Sequence, residues 1–412
     1  MNNEKTKYHC TNCGAQYSYK YAKYLCPSCS KSKAPLLPPK GVLKINYNYE
    51  KLKSEGVNFD KLKQSNFLEL LPIKSTKSLP NLSIGNTPLY SIDKIDNSKL
   101  NFNLFLKDDS QNPTYSFKDR ASAIVSAYAK EKGIDTIITA STGNAGSSLA
   151  GICAAQKQKA IIIVPESAPI AKLTQILIYG ATIIPIKGTY DEAFDLSIKA
   201  TEKFGWYNRN TAFNPLTIEG KKTVAFEIFE QLNYTVPDRI FVPVGDGVII
   251  SGVYKGFEDL LKLNLIDHMP TIVAVQAKKS NNLVRNINNK VFEIEKSTTI
   301  ADSISVDIPR NFYMTQDYLN QYNGEYICVT DDEILEASSI LSKNTGLFSE
   351  PAAIAAFAGM LAYIKDDKLP DISNNIVLLT GSGLKDLKSV NSILNIPDAI
   401  IPTIENLKEL IL

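Results

Sequence analysis

From about residue 85 onward the chain alternates short, β-branched runs with longer stretches in which apolar residues recur every three or four positions. Residues 136–139, 160–164, 182–186, 240–244, 272–275 and 376–379 are the short runs and read as strands. Residues 146–156, 171–179 and 190–204 carry helical spacing, and another helix opens after residue 247 and runs through Leu263. Apolar strands of four or five residues bounded by helices are buried on both faces, which marks parallel sheets. The pattern predicts an α/β protein: two doubly wound, mostly parallel sheets with a cleft between them, preceded by a small segment of different character.

Composition narrows the chemistry. The 412 residues suffice for about two or three domains, and a net charge of +2 gives no reason to expect a polyanionic partner. No apolar run approaches the ~18 residues of a membrane span. The opening Met-Asn-Asn-Glu-Lys lacks the apolar core of a signal peptide, so the cytoplasm is the expected compartment. The two histidines, His9 and His268, leave few bases for a Ser-His-Asp hydrolase and few ligands for a His-rich catalytic metal. Proton transfer then falls to Lys, Asp, Glu or Tyr.

Four of the six cysteines form Cys10-x2-Cys13 and Cys26-x2-Cys29, with twelve residues between the pairs. That spacing brings four thiolates around one zinc ion, and a site closed by four cysteines has no open position for catalysis. A structural zinc is expected; two disulfides are the alternative. Gly14 and Pro27 suit the tight turns of such knuckles, and Pro35, Pro38 and Pro39 separate this ribbon from the rest. Lys5, Lys7, Lys20, Lys23, Lys31, Lys33 and Lys40 face only Glu4 here, with Tyr17, Tyr19, Tyr21 and Tyr24 among them. Lysines with interleaved aromatics can bind single-stranded nucleic acid. The plainer reading, tyrosines packed on the neighbouring domain, is preferred.

In the body, Lys118 lies in Asn-Pro-Thr-Tyr-Ser-Phe-Lys-Asp-Arg, residues 112–120. Most lysines are solvated, but one set beside Ser116 and Phe117 can be desolvated, which lowers its pKa and yields an amine able to condense with an aldehyde. Asp119 and Arg120 are read as satisfying each other. Three loops at strand ends accompany it. Ser141-Thr142-Gly143-Asn144 opens a helix and suits a carboxylate. Gly245-Asp246-Gly247-Val248-Ile249 opens another and suits a phosphate, with the Asp246 side chain expected to point away. Thr380-Gly381-Ser382-Gly383 offers a hydroxyl that can meet a ring nitrogen without protonating it. Each loop alone is equally well a tight turn. Together they would make a pyridoxal phosphate site if they converge, and periodicity cannot show that they do.

These segments resemble the fold-type II pyridoxal phosphate enzymes, and among them the threonine synthases. The matching stretches run from Gly85-Asn86-Thr87-Pro88-Leu89 through the Lys118 and Ser141 loops. They continue through residues 219–227, the Gly245 loop, Ser349-Glu350-Pro351-Ala352 and residues 380–385. A cysteine ribbon like this one is also similar to that of some members.

The resemblance implies a division into a ribbon (1–40), a large cofactor domain (41–116 and 216–412) and a small α/β domain (117–215). It implies that Lys118 bonds the cofactor covalently and moves protons, with Phe117 near the ring and Asn144 at its phenolic oxygen. Gly245, Asp246, Gly247, Val248 and Ile249 would give amides to the cofactor phosphate, and Thr380 would meet the pyridine nitrogen. Ser141, Thr142 and Gly143 would hold the substrate carboxylate. The implied reaction converts O-phosphohomoserine and water into threonine and phosphate, in a homodimer.

The sequence departs from the family where Thr217 stands for an arginine that grips the substrate phosphate. It also departs at Thr211-Ala212 for an Asn-Ser pair and at Ala145 for a threonine. A guanidinium makes paired charge-assisted bonds, so Lys221, Lys222 or Arg209 would have to replace it, and Thr217→Arg is expected to tighten the site. Adjacent helical positions cannot both face the cleft, so at most one of the two lysines serves. A dehydratase or β-replacing synthase of the same fold, or a non-catalytic binding protein, are the other readings.

Overall fold

The computed structural model describes residues 5–21, 23–31, 36–394 and 397–411, so Glu4, Lys33 and Pro35 lie outside the described residues. Thirteen strands are formed among these. β1 (Thr6–Cys10), β2 (Gln16–Tyr17) and β3 (Leu43–Tyr47) make an antiparallel sheet ordered β2-β1-β3. β4 (Leu89–Ile95), β5 (Ser98–Asp108), β10 (Arg239–Pro243), β11 (Thr271–Ala277), β12 (Glu325–Val329) and β13 (Asn374–Leu379) form the large sheet, ordered β12-β11-β10-β13-β5-β4. It is parallel except for β4, which runs against β5. β6 (Thr136–Ala140), β7 (Lys159–Pro165), β8 (Thr182–Ile186) and β9 (Tyr207–Asn208) form an all-parallel sheet ordered β8-β7-β6-β9.

The apolar runs become strands because each residue parity has its own core. On β10, Ile240 and Val242 face a cluster that includes Val253 and Phe257 of the helix Val248–Lys262. Phe241 faces the opposite way, toward Phe357 and Met360 of the helix Pro351–Lys365. On β13, Ile376 and Leu378 join the first cluster while Val377 and Leu379 join the second. Burying each such side chain contributes about 1.5–3 kcal/mol. A sheet with helices on both faces follows, the doubly wound arrangement expected.

Among the strands that periodicity misses, β4 and β12 are edges and β9 is short, while β5 lies inside the large sheet with alternating apolar and polar residues. β4 and β5 are joined through Asp96 and Asn97, both left-handed at φ 49 and 64, a tight turn between strands whose exposed face is polar. β9 is two residues long, and β12 is the large sheet's half-exposed edge.

Tyr24 stacks on Phe213 at 4.6 Å and its hydroxyl accepts from the Asn208 N–H at 3.0 Å, so it packs beside β9. The segments after the carboxyl ends of β5, β6 and β13 come together, Phe117 with Thr380 and Asn144 with Glu350, on the side where open α/β sheets bind ligands.

Candidate active site

Lys118 is the first residue of the helix Lys118–Glu131, which follows β5 after a short irregular segment. The Phe117 N–H donates to the Thr380 carbonyl at 2.9 Å, Ser116 bridges to Gly381, and the Ser382 N–H donates to the Tyr115 carbonyl at 3.1 Å. These bonds splice the lysine loop to the loop after β13. Tyr115 is left-handed at φ 66, a strained position that this splice holds in place. Phe117 itself is fully buried in the core, with the Arg120 guanidinium over its ring. Burial pushes the Lys118 ammonium down to about 8; the charge of Glu350 opposes this and that of Arg209 adds to it. An amine of that pKa is neutral far more often at physiological pH than an ordinary lysine.

Asp119 and Arg120 do not satisfy each other, contrary to expectation. Successive helical residues point about 100° apart. Asp119 instead accepts from the N–H and hydroxyl of Thr114 at 2.7 and 2.5 Å, bracing the lysine loop. Arg120 reaches Asp109 at 2.6 Å and Glu227 at 2.5 Å, and Glu227 also takes Lys107 at 2.7 Å.

The other two loops meet this one. Asn144, first residue of the helix Asn144–Gln156, donates from Nδ2 to both carboxylate oxygens of Glu350 at 2.8 and 2.9 Å. Glu350 in turn donates its N–H to the Gly381 carbonyl at 3.0 Å. The sequence assigns Glu350 no role; its burial and its charge acting on Lys118 make it part of the site. The Ser141 hydroxyl accepts from the Gly143 N–H at 3.3 Å. A Cβ on Gly143 would meet nothing within 4 Å, so this helix end faces open space that a ligand can enter.

The glycines of the other two loops are needed for a different reason than close approach to a ligand. A Cβ on Gly247, which is left-handed at φ 86, would lie 2.2 Å from Thr315 Oγ1. One on Gly245 would lie 2.9 Å from Ile304 Cα, and one on Gly381 would lie 2.5 Å from Glu350 Oε1. Protein neighbours already fill those positions. Asp246 accepts from the Arg310 N–H at 3.2 Å, away from the helix that opens at Val248.

Of the three cations raised as phosphate ligands, Lys222 is committed elsewhere, to Glu219 at 2.5 Å and Asp259 at 2.6 Å. Lys221 Nζ and Arg209 Nη2 are buried without a hydrogen-bond partner among the described residues. Thr217 is fully buried, its hydroxyl donating to the Asn214 carbonyl at 2.8 Å, and Ala212 is left-handed at φ 62.

Residues 81–381 match the family model described as "Pyridoxal-phosphate dependent enzyme". The chain belongs to that family. It is a pyridoxal-phosphate-dependent lyase of the threonine synthase kind. It is 34% identical to the threonine synthase of Methanocaldococcus jannaschii over 386 residues, 92% of each chain. It is 31% identical to that of Methanosarcina acetivorans over 98% of each chain. Among solved structures, threonine deaminase isoform 2 from Solanum lycopersicum superposes with a TM-score of 0.67 at 22% identity, over 82% of this chain and 94% of that one. That likeness concerns the fold alone.

The donor set of this enzyme fits the cofactor: a neutralisable amine, an open helix end at Gly143, amides at a second helix end, and a strand-end threonine. The ribbon cysteines Cys10, Cys13, Cys26 and Cys29 bring their sulfur atoms within 4.8 Å of one another, a cluster that fits a metal ion. Among the described residues no helix is long and apolar enough to cross a membrane.

Proposed function

We propose that this enzyme is a threonine synthase, converting O-phosphohomoserine and water into L-threonine and phosphate. The observation that carries the reading is the buried, neutralisable amine of Lys118 spliced to the Thr380 loop, in a chain similar over 92% of its length to a threonine synthase. Lys118 holds the cofactor, whose ring supplies an electron sink for charge developing on the substrate. Amides of Gly245 to Ile249 would hold the cofactor phosphate, the Thr380 hydroxyl would serve the pyridine nitrogen, and Asn144 would serve the phenolic oxygen. Ser141, Thr142 and Gly143 hold the substrate carboxylate at the open helix end.

In this arrangement Lys118 takes the proton from Cα and then one from Cβ of the substrate. Phosphate leaves from Cγ, which gains a proton; the hydroxyl of water adds at Cβ, and a proton returns to Cα. The protein contributes orientation and the timing of those transfers.

The same reading gives the ribbon a structural zinc, the enzyme a homodimeric form and the cell's cytoplasm as its compartment. Product analysis tests the reaction. Purified holoenzyme given O-phosphohomoserine should yield threonine and phosphate in equal amounts. Cofactor bound normally with no phosphate released, but with ammonia formed from serine or threonine, would replace the reading with the dehydratase alternative.

A further inference from the structure

Six lysines and arginines are buried among the described residues: Lys107, Arg120, Arg209, Lys221, Lys222 and Lys255. Four of them have carboxylate partners within 2.7 Å. Arg209 and Lys221 have none, and each keeps a buried nitrogen without any hydrogen-bond partner. Burying a charge without a partner is among the most costly arrangements a fold can adopt. Lys221 stands next to Lys222, whose amine two carboxylates hold, so this fold supplies counter-charges where it needs them. Asp119 acts on Arg209 and Asp246 on Lys221 through space, but neither carboxylate forms an ion pair with them among the described residues, which leaves a direct anionic partner for a ligand to supply.

The surroundings say which kind. Arg209 follows β9, and its N–H donates to the Ile138 carbonyl at 2.8 Å, which sets the residue at the carboxyl edge of the small sheet. Its Nε and Nη1 are fixed by neutral hydroxyls, Ser122 Oγ at 3.1 Å and Thr211 Oγ1 at 2.9 Å, leaving Nη2 unused. Ser122 is one helical turn from Lys118, on the same face.

Lys221 ends the helix Leu216–Lys221, and its stem lies against the first turns of the helix Val248–Lys262: a Cβ on Gly252 would come 2.6 Å from Lys221 Cβ. Burial first, then the charges of Arg209 and Lys118, hold the Lys221 ammonium far below its ordinary range against the pull of Asp246, so this amine takes up its proton when an anion comes with it. A singly charged carboxylate would leave part of this charge uncompensated, whereas a phosphate dianion would match the pair.

We propose that Arg209 and Lys221 together bind a phosphate dianion, that of the substrate. Two phosphates enter one cleft in the proposed reaction, and the Gly245 loop with its helix amides serves the cofactor's. The cation pair is left for the other. The anion site itself stands on the buried, unpaired nitrogens; only the identity of the phosphate's carrier rests on the threonine synthase reading.

The test uses the holoenzyme and inorganic phosphate as the probe. Phosphate, and sulfate as its mimic, should raise the thermal midpoint of the wild-type holoenzyme, while chloride at matched ionic strength should not. Lys221→Met should weaken the phosphate response by roughly ten- to a hundredfold, the loss of one charge-assisted contact, with cofactor content and absorbance unchanged. Should Lys221→Met fail to fold, Lys221→Gln and the wild-type titration carry the test.

No phosphate effect on wild type, or equal effects on wild type and variant, would overturn the proposal. Loss of cofactor with the phosphate response intact would reassign the pair to the cofactor and likewise overturn it. If the response behaves as expected but O-phosphohomoserine yields no phosphate, the anion site is upheld and the threonine synthase reading alone fails.

Discussion

Asn144 and Glu350, 206 residues apart, are joined by one amide nitrogen donating to both oxygens of a buried carboxyl group. The contact ties the first residue of the helix Asn144–Gln156 to the residue that caps the start of the helix Pro351–Lys365. It also commits the amide proposed for the cofactor's phenolic oxygen, so that amide must be shared between the two.

Burial is the largest influence on Glu350 and pushes its carboxyl above the ordinary range, against the Asn144 bond and the charge of Lys118. A carboxyl raised in the folded state favours folding at pH below its ordinary value and costs stability as pH climbs through the raised one. Glu350→Gln keeps an acceptor for Asn144 and removes that cost. The stability difference, variant minus wild type, should therefore grow from pH 5 to pH 8 in thermal unfolding of the apoprotein; a flat difference would contradict the assignment.

Lys118 held down to about 8 sets the pH dependence of cofactor loading. The neutral fraction of such an amine rises about fivefold between pH 7 and 8 and less than twofold beyond. Covalent attachment to the apoprotein should follow that curve. A rate still climbing steeply at pH 10 would mean an ordinary lysine. Lys118→Ala should abolish turnover with the fold retained by circular dichroism, and borohydride reduction of wild type should label Lys118 in peptide maps.

Adjacent lysines should behave in opposite ways. Lys222→Met leaves Glu219 and Asp259 buried without that partner and should cost about 3–5 kcal/mol in urea unfolding. Asp259 retains Lys255, which places the effect toward the lower end. Lys221→Met removes an unpaired buried amine and should leave the apoprotein as stable or more so.

Thr217→Arg should weaken phosphate binding, where the sequence suggested a gain. Thr217 is fully buried one turn before Lys221 on the same helix face, so a guanidinium there would overpack the core and crowd a third cation into the pair. An increase in phosphate affinity in the same midpoint assay would show that the pocket can open to admit it.

Metal analysis should find about one zinc per chain, and replacing Cys13 by serine should lower it. Chelation should unfold the ribbon slowly, without an immediate fall in turnover, since four thiolates leave no open position. An instant loss of activity with structure intact would refute the structural role.

The sequence by itself determined the fold class, the central strands of both sheets, the cysteine cluster and the lysine loop. These are written in local pattern: an apolar run of four residues, a spacing of two, a motif of nine. It did not determine β4 or β12, edge strands with no continuous apolar run, nor β5, in which apolar and polar residues alternate. Only the tertiary structure decided partners. Arg120 follows Asp119 in sequence yet reaches Glu227, and Lys222 is bound to Asp259 while the Lys221 amine has no hydrogen-bond partner among the described residues. Neighbours in a helix diverge by about 100°, so sequence adjacency carries little information about which charges meet. Glu350 shows the same limit: its motif was legible, but its place beside Asn144 and Gly381 arises from three distant segments closing on one cleft.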